Sequence, residues 1–346
     1  MLDFLQSISL FFSQAVIIVL SFVAIILTIA SVALKNKKTK SFNIQILNDD
    51  FDDQSLALKS VLYSDDEIKL EKKRLKKITK AKNKDSQTEK KPYIYVLDFL
   101  EGDTKASGVE QLRQEITQIL LIAKKDEEVI LNVESPGGIV HGYGLAASQI
   151  LRLRDFGLKV TICIDKVAAS GGYMMACVGH QIISAPFAIV GSIGVVAQVP
   201  NFHRVLKKND IDFKEYTAGD FKRTVSLFGE ITEKGEKKFN EQLESTHVLF
   251  KNFVGKYRPQ MALEQVTTGE YWFGEDALKM KLVDQIGTSD DYILNKVKTH
   301  TVVKISLDKK IPFSEKISEI FSKIASSTLE KTFEKTIEKT ARRIDL

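Results

Sequence analysis

The chain has 346 residues, a formal net charge of +5 and two cysteines, which suits one large domain or two small ones with appendages. The positive excess is local: residues 35–91 hold sixteen Lys/Arg against ten Asp/Glu, whereas residues 92–346 balance at thirty-four of each, so a basic nucleic-acid face is not expected on the folded part. Cys163 and Cys177 are too few for a disulfide framework and wrongly spaced for a metal site; both fall in apolar stretches and read as buried core residues.

In chain order, residues 1–34 carry Asp3 as their one charge, and residues 15–34, "AVIIVLSFVAIILTIASVAL", are almost unbroken in apolar character. As a helix that run spans about 30 Å, the thickness of the hydrocarbon layer. It is too long for a signal-peptide core and lacks a basic start, so a retained transmembrane anchor is expected. The flank "KNKKTK" favours the cytoplasmic side for the chain beyond it. Residues 35–91 read as a basic polar linker. Within it, residues 69–84 carry nine basic side chains, one acid and no aromatic residue, a composition suited to lipid head groups or a solvated spacer rather than to nucleic acid.

A folded domain is expected over 92–300. Tyr93–Phe99 has the apolar character of a buried strand. The helical pattern after it puts Leu112, Ile116, Ile119, Leu120 and Ala123 on one face. "EVILNVES", "KVTICIDK" and "QIISAP" read as further strands, with "GYGLAASQILRLRDF" as a helix between the first two and a short helix after Ser170. Strands alternating with helices predict an α/β fold with largely parallel pairing. A long amphipathic helix is expected past residue 232, and residues 301–346 read as a helical tail.

Two glycine-rich turns invite chemistry. In "ESPGGIVHGYG", Pro136 fixes one φ angle, while Gly137 and Gly138 leave backbone N–H groups open to close approach, as an oxyanion hole or anion nest requires. The Lys-Ser/Thr ending of a phosphate-binding loop is missing. In "KVAASGGYMMA", Ser170 stands at a strand-to-helix turn, where it could be a plain N-cap or an exposed nucleophile. A nucleophile needs a base. Of His141, His180, His203, His247 and His300, His141 alone lies in an apparent site loop, and with no clear acidic partner it reads as structural. Lys222, beside Phe221 and close to Val225, Leu227 and Phe228, is the other candidate. A lysine base has to be neutral, and burial among apolar groups favours that form.

Taken in order, "SPGG", "VAASGGYMMA", "VGSIGV" and "TAGDFKR" closely resemble the SohB-type proteases of the signal peptide peptidase A family, the serine–lysine peptidases of family S49. The resemblance runs from the anchor to about residue 298. It implies a Clp protease/crotonase-like spiral of β-β-α units and a Ser–Lys dyad. Ser170 falls on the nucleophile and Lys222 on the general base. Ser192 matches a hydroxyl that orients the lysine, and the backbone of Gly138 and Gly171 matches the oxyanion donors. No cofactor or metal is expected.

The resemblance further implies a protease of the bacterial inner membrane acting on unfolded or membrane-released peptides, such as signal peptide remnants. Its better-known members place the catalytic domain outside the cytoplasmic membrane, opposite to what the "KNKKTK" flank suggests, and the side stays open. Double-length relatives place nucleophile and base in different halves of one chain. Here Ser170 and Lys222 share one unit, so a homo-oligomer with sites shared between subunits is expected. Two other readings stay open on the sequence: a crotonase-like acyl-CoA enzyme with a similar oxyanion hole, and a catalytically silent membrane scaffold.

Overall fold

The computed structural model describes residues 42–64, 66–71, 73–74, 91–100 and 102–307, with a few positions between 14 and 21. Most of the apolar run 15–34, residues 75–90 of the basic linker and the tail past 307 lie outside the described residues. Among the described residues no helix is long and apolar enough to cross a membrane. Asn43–Ser306 form one compact unit, which holds the elements of the fold.

Strand β1 (Phe42–Ile46) and helix α1 (Leu47–Leu62) come first. The domain continues with β2 (Tyr93–Leu100), α2 (Val109–Ile122), β3 (Glu128–Glu134), α3 (Val140–Phe156), β4 (Lys159–Ile164) and β5 (Val167–Ala169). Next come α4 (Gly171–Ala176), β6 (Gln181–Ser184), β7 (Ile189–Gly191), α5 (His203–Lys208), α6 (Glu233–Tyr257), α7 (Leu263–Val266) and β8 (Tyr271–Phe273). Helix α8 (Gly274–Lys279), β9 (Gln285–Ile286), α9 (Ser289–Val297) and β10 (Thr301–Leu307) complete the series.

Seven strands form one sheet in the order β1-β10-β2-β3-β4-β6-β9. The pairs β10/β2, β2/β3, β3/β4, β4/β6 and β6/β9 are all parallel. Strands of such a sheet are covered on both faces, which is why Ile94, Tyr95, Val96 and Leu97 are buried in succession instead of alternating. On α2, Leu112, Ile116 and Ile119 are buried as their spacing predicts. Gly157 ends α3 in the left-handed region at φ 99°, its N–H returning to the carbonyls of Arg154 and Leu153.

A second, three-stranded sheet, β5-β7-β8, positions the site. After β4 and again after β6 the chain leaves the large sheet and enters the small one, and Ser135, just past β3, bridges Ala168 of β5. The result is a mixed α/β fold rich in parallel pairing, in which successive strand ends converge on the small sheet.

Two segments differ from expectation. Residues 42–62 fall within the expected linker yet form β1 and α1, because Leu47 and Phe51 pack on the core around Ile94, Val96 and Val302. The Asn48 amide clamps the chain there, donating to the carbonyls of Val297 and His300 and accepting from the Val302 N–H. Residues 301–307, expected in a helical tail, form a strand lying between β1 and β2. In "TVVKISL" Val302, Val303 and Ile305 are buried, and β-branched residues suit a pleated, buried surface.

Candidate active site

Strand β5 delivers the chain to Ser170, which adopts φ 52°, ψ −117° at the N-cap of α4. A non-glycine residue held there costs about 1–3 kcal/mol, so the surroundings must enforce it. The Ser170 N–H donates to the Gly191 carbonyl at 2.7 Å, and the Ser170 carbonyl accepts from Met174 N at 2.9 Å. The two glycines after Ser170 are required by packing. A Cβ on Gly171 would overlap the Tyr143 ring, and one on Gly172 would overlap the Ser135 carbonyl. The strand-to-helix turn therefore presses close against its neighbours and holds a half-buried serine on a cavity of about 1000 Å³.

The turn Pro136–Gly138 lies against this elbow. Gly137 has φ 88°, and a Cβ there would stand 2.6 Å from both the Ala169 carbonyl oxygen and the Gly171 nitrogen. Gly138 packs under the Thr104 carbonyl, which accepts from Ile139 N at 2.8 Å. The backbone N–H groups of Gly138 and Gly171 donate no hydrogen bond among the described residues, and both glycines line the cavity. Two free donors beside a serine can hold an oxyanion. Ser192 lines the same cavity, also at φ 52°, with its N–H tied to the Glu270 carbonyl at 2.7 Å. Ser170, Ser192, Gly138 and Gly171 thus line one cavity.

Lys222 does not join them. It is exposed, on a turn where its N–H donates to the Gly219 carbonyl at 3.1 Å, and it does not line the cavity. The apolar burial expected around it is not formed within one chain. Phe202 and Phe213 pack on Phe228 instead, and the ammonium groups over the Phe221 ring are those of Lys234 and Lys238.

Helix α6 brings Thr246, His247 and Phe250 to the cavity, and the His247 Nε2 lies 3.3 Å from the Ile193 carbonyl oxygen. Sequence reasoning missed these residues. Their one signal is a shared helical face, which any amphipathic helix shows. His141 is exposed at the cavity rim. His180 is structural: its Nδ1 accepts from the Val160 N–H at 3.0 Å, and partial desolvation of the ring holds its pKa below the usual histidine value. Both thiols are buried as expected. Burial pushes Cys163 up to about 12 and Cys177 up as well, which leaves neither with thiolate character. Among the described residues no group of side chains is arranged to hold a metal ion.

Residues 3–150 match the description "Peptidase family S49 N-terminal" and residues 152–304 match "Peptidase family S49". A relative from Haemophilus influenzae, "Probable protease SohB", is 48% identical over 314 residues, covering 88% of this chain and 89% of its own. The chain belongs to peptidase family S49. A second S49 relative, "Probable protease SohB" of Buchnera aphidicola subsp. Schlechtendalia chinensis, is 45% identical over 306 residues, covering 85% of this chain and all of its own. Among solved structures, a mutant of the 1510-N membrane-bound stomatin-specific protease aligns with a TM-score of 0.40 at 17% identity, over 60% of this chain and 84% of that one. As an S49 peptidase with SohB protease relatives, the chain is a hydrolase of peptide bonds, and the acyl-CoA reading is set aside.

Proposed function

We propose that this S49 peptidase is a membrane-anchored serine endopeptidase in which Ser170 is the nucleophile and Lys222 of a neighbouring copy is the general base. One observation carries the reading: four of the five expected positions converge on one cavity, while the fifth, Lys222, stands outside it on an exposed turn. A lysine acts as a base only when neutral, and burial favours the neutral form. Docking of the turn against a second copy would supply both burial and reach.

In this scheme neutral Lys222 takes the Ser170 proton as Oγ attacks the substrate carbonyl. The oxyanion is held by the N–H groups of Gly138 and Gly171. The lysine then passes its proton to the leaving amine, and water, activated in the same way, releases the acyl group. The Ser192 hydroxyl holds the lysine by a hydrogen bond. Met174, Val195, Val196 and Phe250 give the cavity an apolar lining suited to extended, unfolded peptides, among them membrane-released signal peptide remnants. The apolar run 15–34 anchors the enzyme in the bacterial inner membrane.

A fluorophosphonate probe tests the nucleophile. It should label the active protein at Ser170, with the label lost in Ser170→Ala. Labelling at another residue, or an active preparation that takes no label, would overturn the assignment.

A further inference from the structure

Beneath the two glycine turns lies a buried chain of hydroxyls with no part in the bond-making scheme. Tyr143, from α3, and Ser135, just past β3, are both fully buried. The Tyr143 hydroxyl lies 2.7 Å from Ser135 Oγ and donates to the Asp103 carbonyl at 3.0 Å. The Gly137 N–H donates to Ser135 Oγ at 3.2 Å. A carbonyl can only accept, and a phenol has one proton. Tyr143 spends that proton on Asp103, so it must accept from Ser135, whose oxygen in turn accepts from Gly137. In this chain the Gly137 N–H is held inward.

The same tyrosine touches the nucleophile turn. Its ring occupies the space where a Cβ of Gly171 would fall, and it packs edge-on to Phe99 with centroids 6.3 Å apart. The Asp103 carbonyl it holds belongs to the loop whose Thr104 covers Gly138. One side chain therefore fixes the Pro136–Gly138 turn through Ser135, the covering loop through Asp103 and the start of α4 through ring contact. These three pieces set where the Gly138 and Gly171 N–H groups stand.

We propose that Tyr143 and Ser135 are positioning residues for the oxyanion hole, their hydroxyl chain and ring contact holding the turn, the covering loop and the helix start that carry the Gly138 and Gly171 N–H groups. This rests on the serine-peptidase reading. Hydrogen bonds to an oxyanion form fully in the transition state alone, so their misalignment lowers kcat and leaves KM nearly unchanged. General loss of structure would lower stability and substrate binding as well.

The test uses the full-length protein, a quenched-fluorescent unstructured peptide that it cleaves, and a peptide aldehyde that captures the serine as a tetrahedral adduct. Losing one oxyanion donor costs about a hundredfold to a thousandfold in kcat, so misaiming by Tyr143→Phe should cost about tenfold to a hundredfold. KM should stay within about twofold, and aldehyde inhibition should weaken by a factor similar to the loss in kcat. Ser135→Ala should act alike, and because both residues serve one chain, the double variant should be within about twofold of the worse single variant. A kcat within about twofold of wild type, a loss confined to KM, or losses that multiply in the double variant would each overturn the inference. Should Tyr143→Phe fail to fold, the kcat and KM of Ser135→Ala decide by the same criteria. Ser170→Ala is measured in parallel. If it stays active, the serine-peptidase reading falls and the inference with it. If it is inactive while Tyr143→Phe turns over normally, the inference alone falls.

Discussion

The segment 167–194 and the segment 195–230 each carry an expected catalytic side chain, and they are built in opposite ways. The first passes through β5, α4, β6 and β7, is mostly buried, and holds Ser170 and Ser192 at positive φ by backbone hydrogen bonds to Gly191 and Glu270. The second has α5 as its one regular element and exposes Val196, Tyr216 and Phe221 alongside Lys222. A nucleophile and an oxyanion hole need fixed geometry, which a buried turn between two sheets provides. The segment that carries Lys222 finds no such support in its own chain. On the proposed function, half of the site is prepared by folding and half is completed by association.

The sharpest way to break that contrast is to remove each half separately. Ser170→Ala should lower kcat by about 10⁴-fold or more without unfolding the protein, as loss of a nucleophile does in other serine peptidases. Lys222→Ala should be nearly as damaging, and Lys222→Arg equally so, because arginine keeps its proton at any usable pH. Peptide hydrolysis with purified variants measures all three. An active Arg variant would make Lys222 a charge contact, and would turn attention to His247 as the base inside the cavity.

Ser192→Ala probes the link between the halves. A hydroxyl that orients the base without making bonds should cost about tenfold to a hundredfold, the scale of one charge-assisted hydrogen bond. Unchanged turnover would return Ser192 to a plain turn residue.

Packing offers a smaller, structural comparison. Gly171→Ala drives a methyl into the Tyr143 ring and should lower stability by about 1–3 kcal/mol, with loss of activity. Gly219, in the open segment, has nothing within 4 Å of a Cβ and only its φ of 96° to defend, so Gly219→Ala should cost about 1 kcal/mol. Thermal unfolding of the two variants checks the order, and a larger loss at Gly219 would contradict the contrast.

The smallest effect concerns pH. Glu128, buried on β3, accepts from Thr161 at 2.5 Å, Tyr292 at 2.7 Å and Lys296 at 2.6 Å. Burial works to raise its pKa, but the hydrogen bonds from Lys296, Thr161 and Tyr292 outweigh it and hold the carboxyl below the ordinary value of 4.5. A depressed carboxylate stabilises the fold above the unfolded value and loses that contribution as pH falls through the folded one. Tm should therefore drop with acid below pH 4.5, and Glu128→Gln should flatten the drop. An unchanged slope in that variant would remove Glu128 from the account.

Much of this organisation was legible in the sequence because its signals are local. The buried run Ile94–Leu97, the helical face of Leu112, Ile116 and Ile119, and the turns at Gly137 and Ser170 each depend on neighbours in the chain. What escaped depends on distant pairing. Nothing in "FNIQI" announces that it will join β10, and Asn48 gains its meaning from Val297, His300 and Val302. His247 and Phe250 reach the cavity from α6, 77 and 80 residues past Ser170, with no motif to mark them. The exposure of Lys222 was hidden for the same reason: of its aromatic neighbours, Phe228 packs on Phe202 and Phe213, and Phe221 lies beneath Lys234 and Lys238.

Complementation in mixed oligomers tests the central claim most directly. Inactive Ser170→Ala and inactive Lys222→Ala proteins are combined under conditions where exchange of subunits is shown by differential labelling, and peptide hydrolysis is followed. A site shared between copies predicts that activity returns, since a mixed interface can pair an intact Ser170 with an intact Lys222. Exchange without any return of activity, or a fully active wild-type monomer, would contradict it and place the whole dyad within one chain.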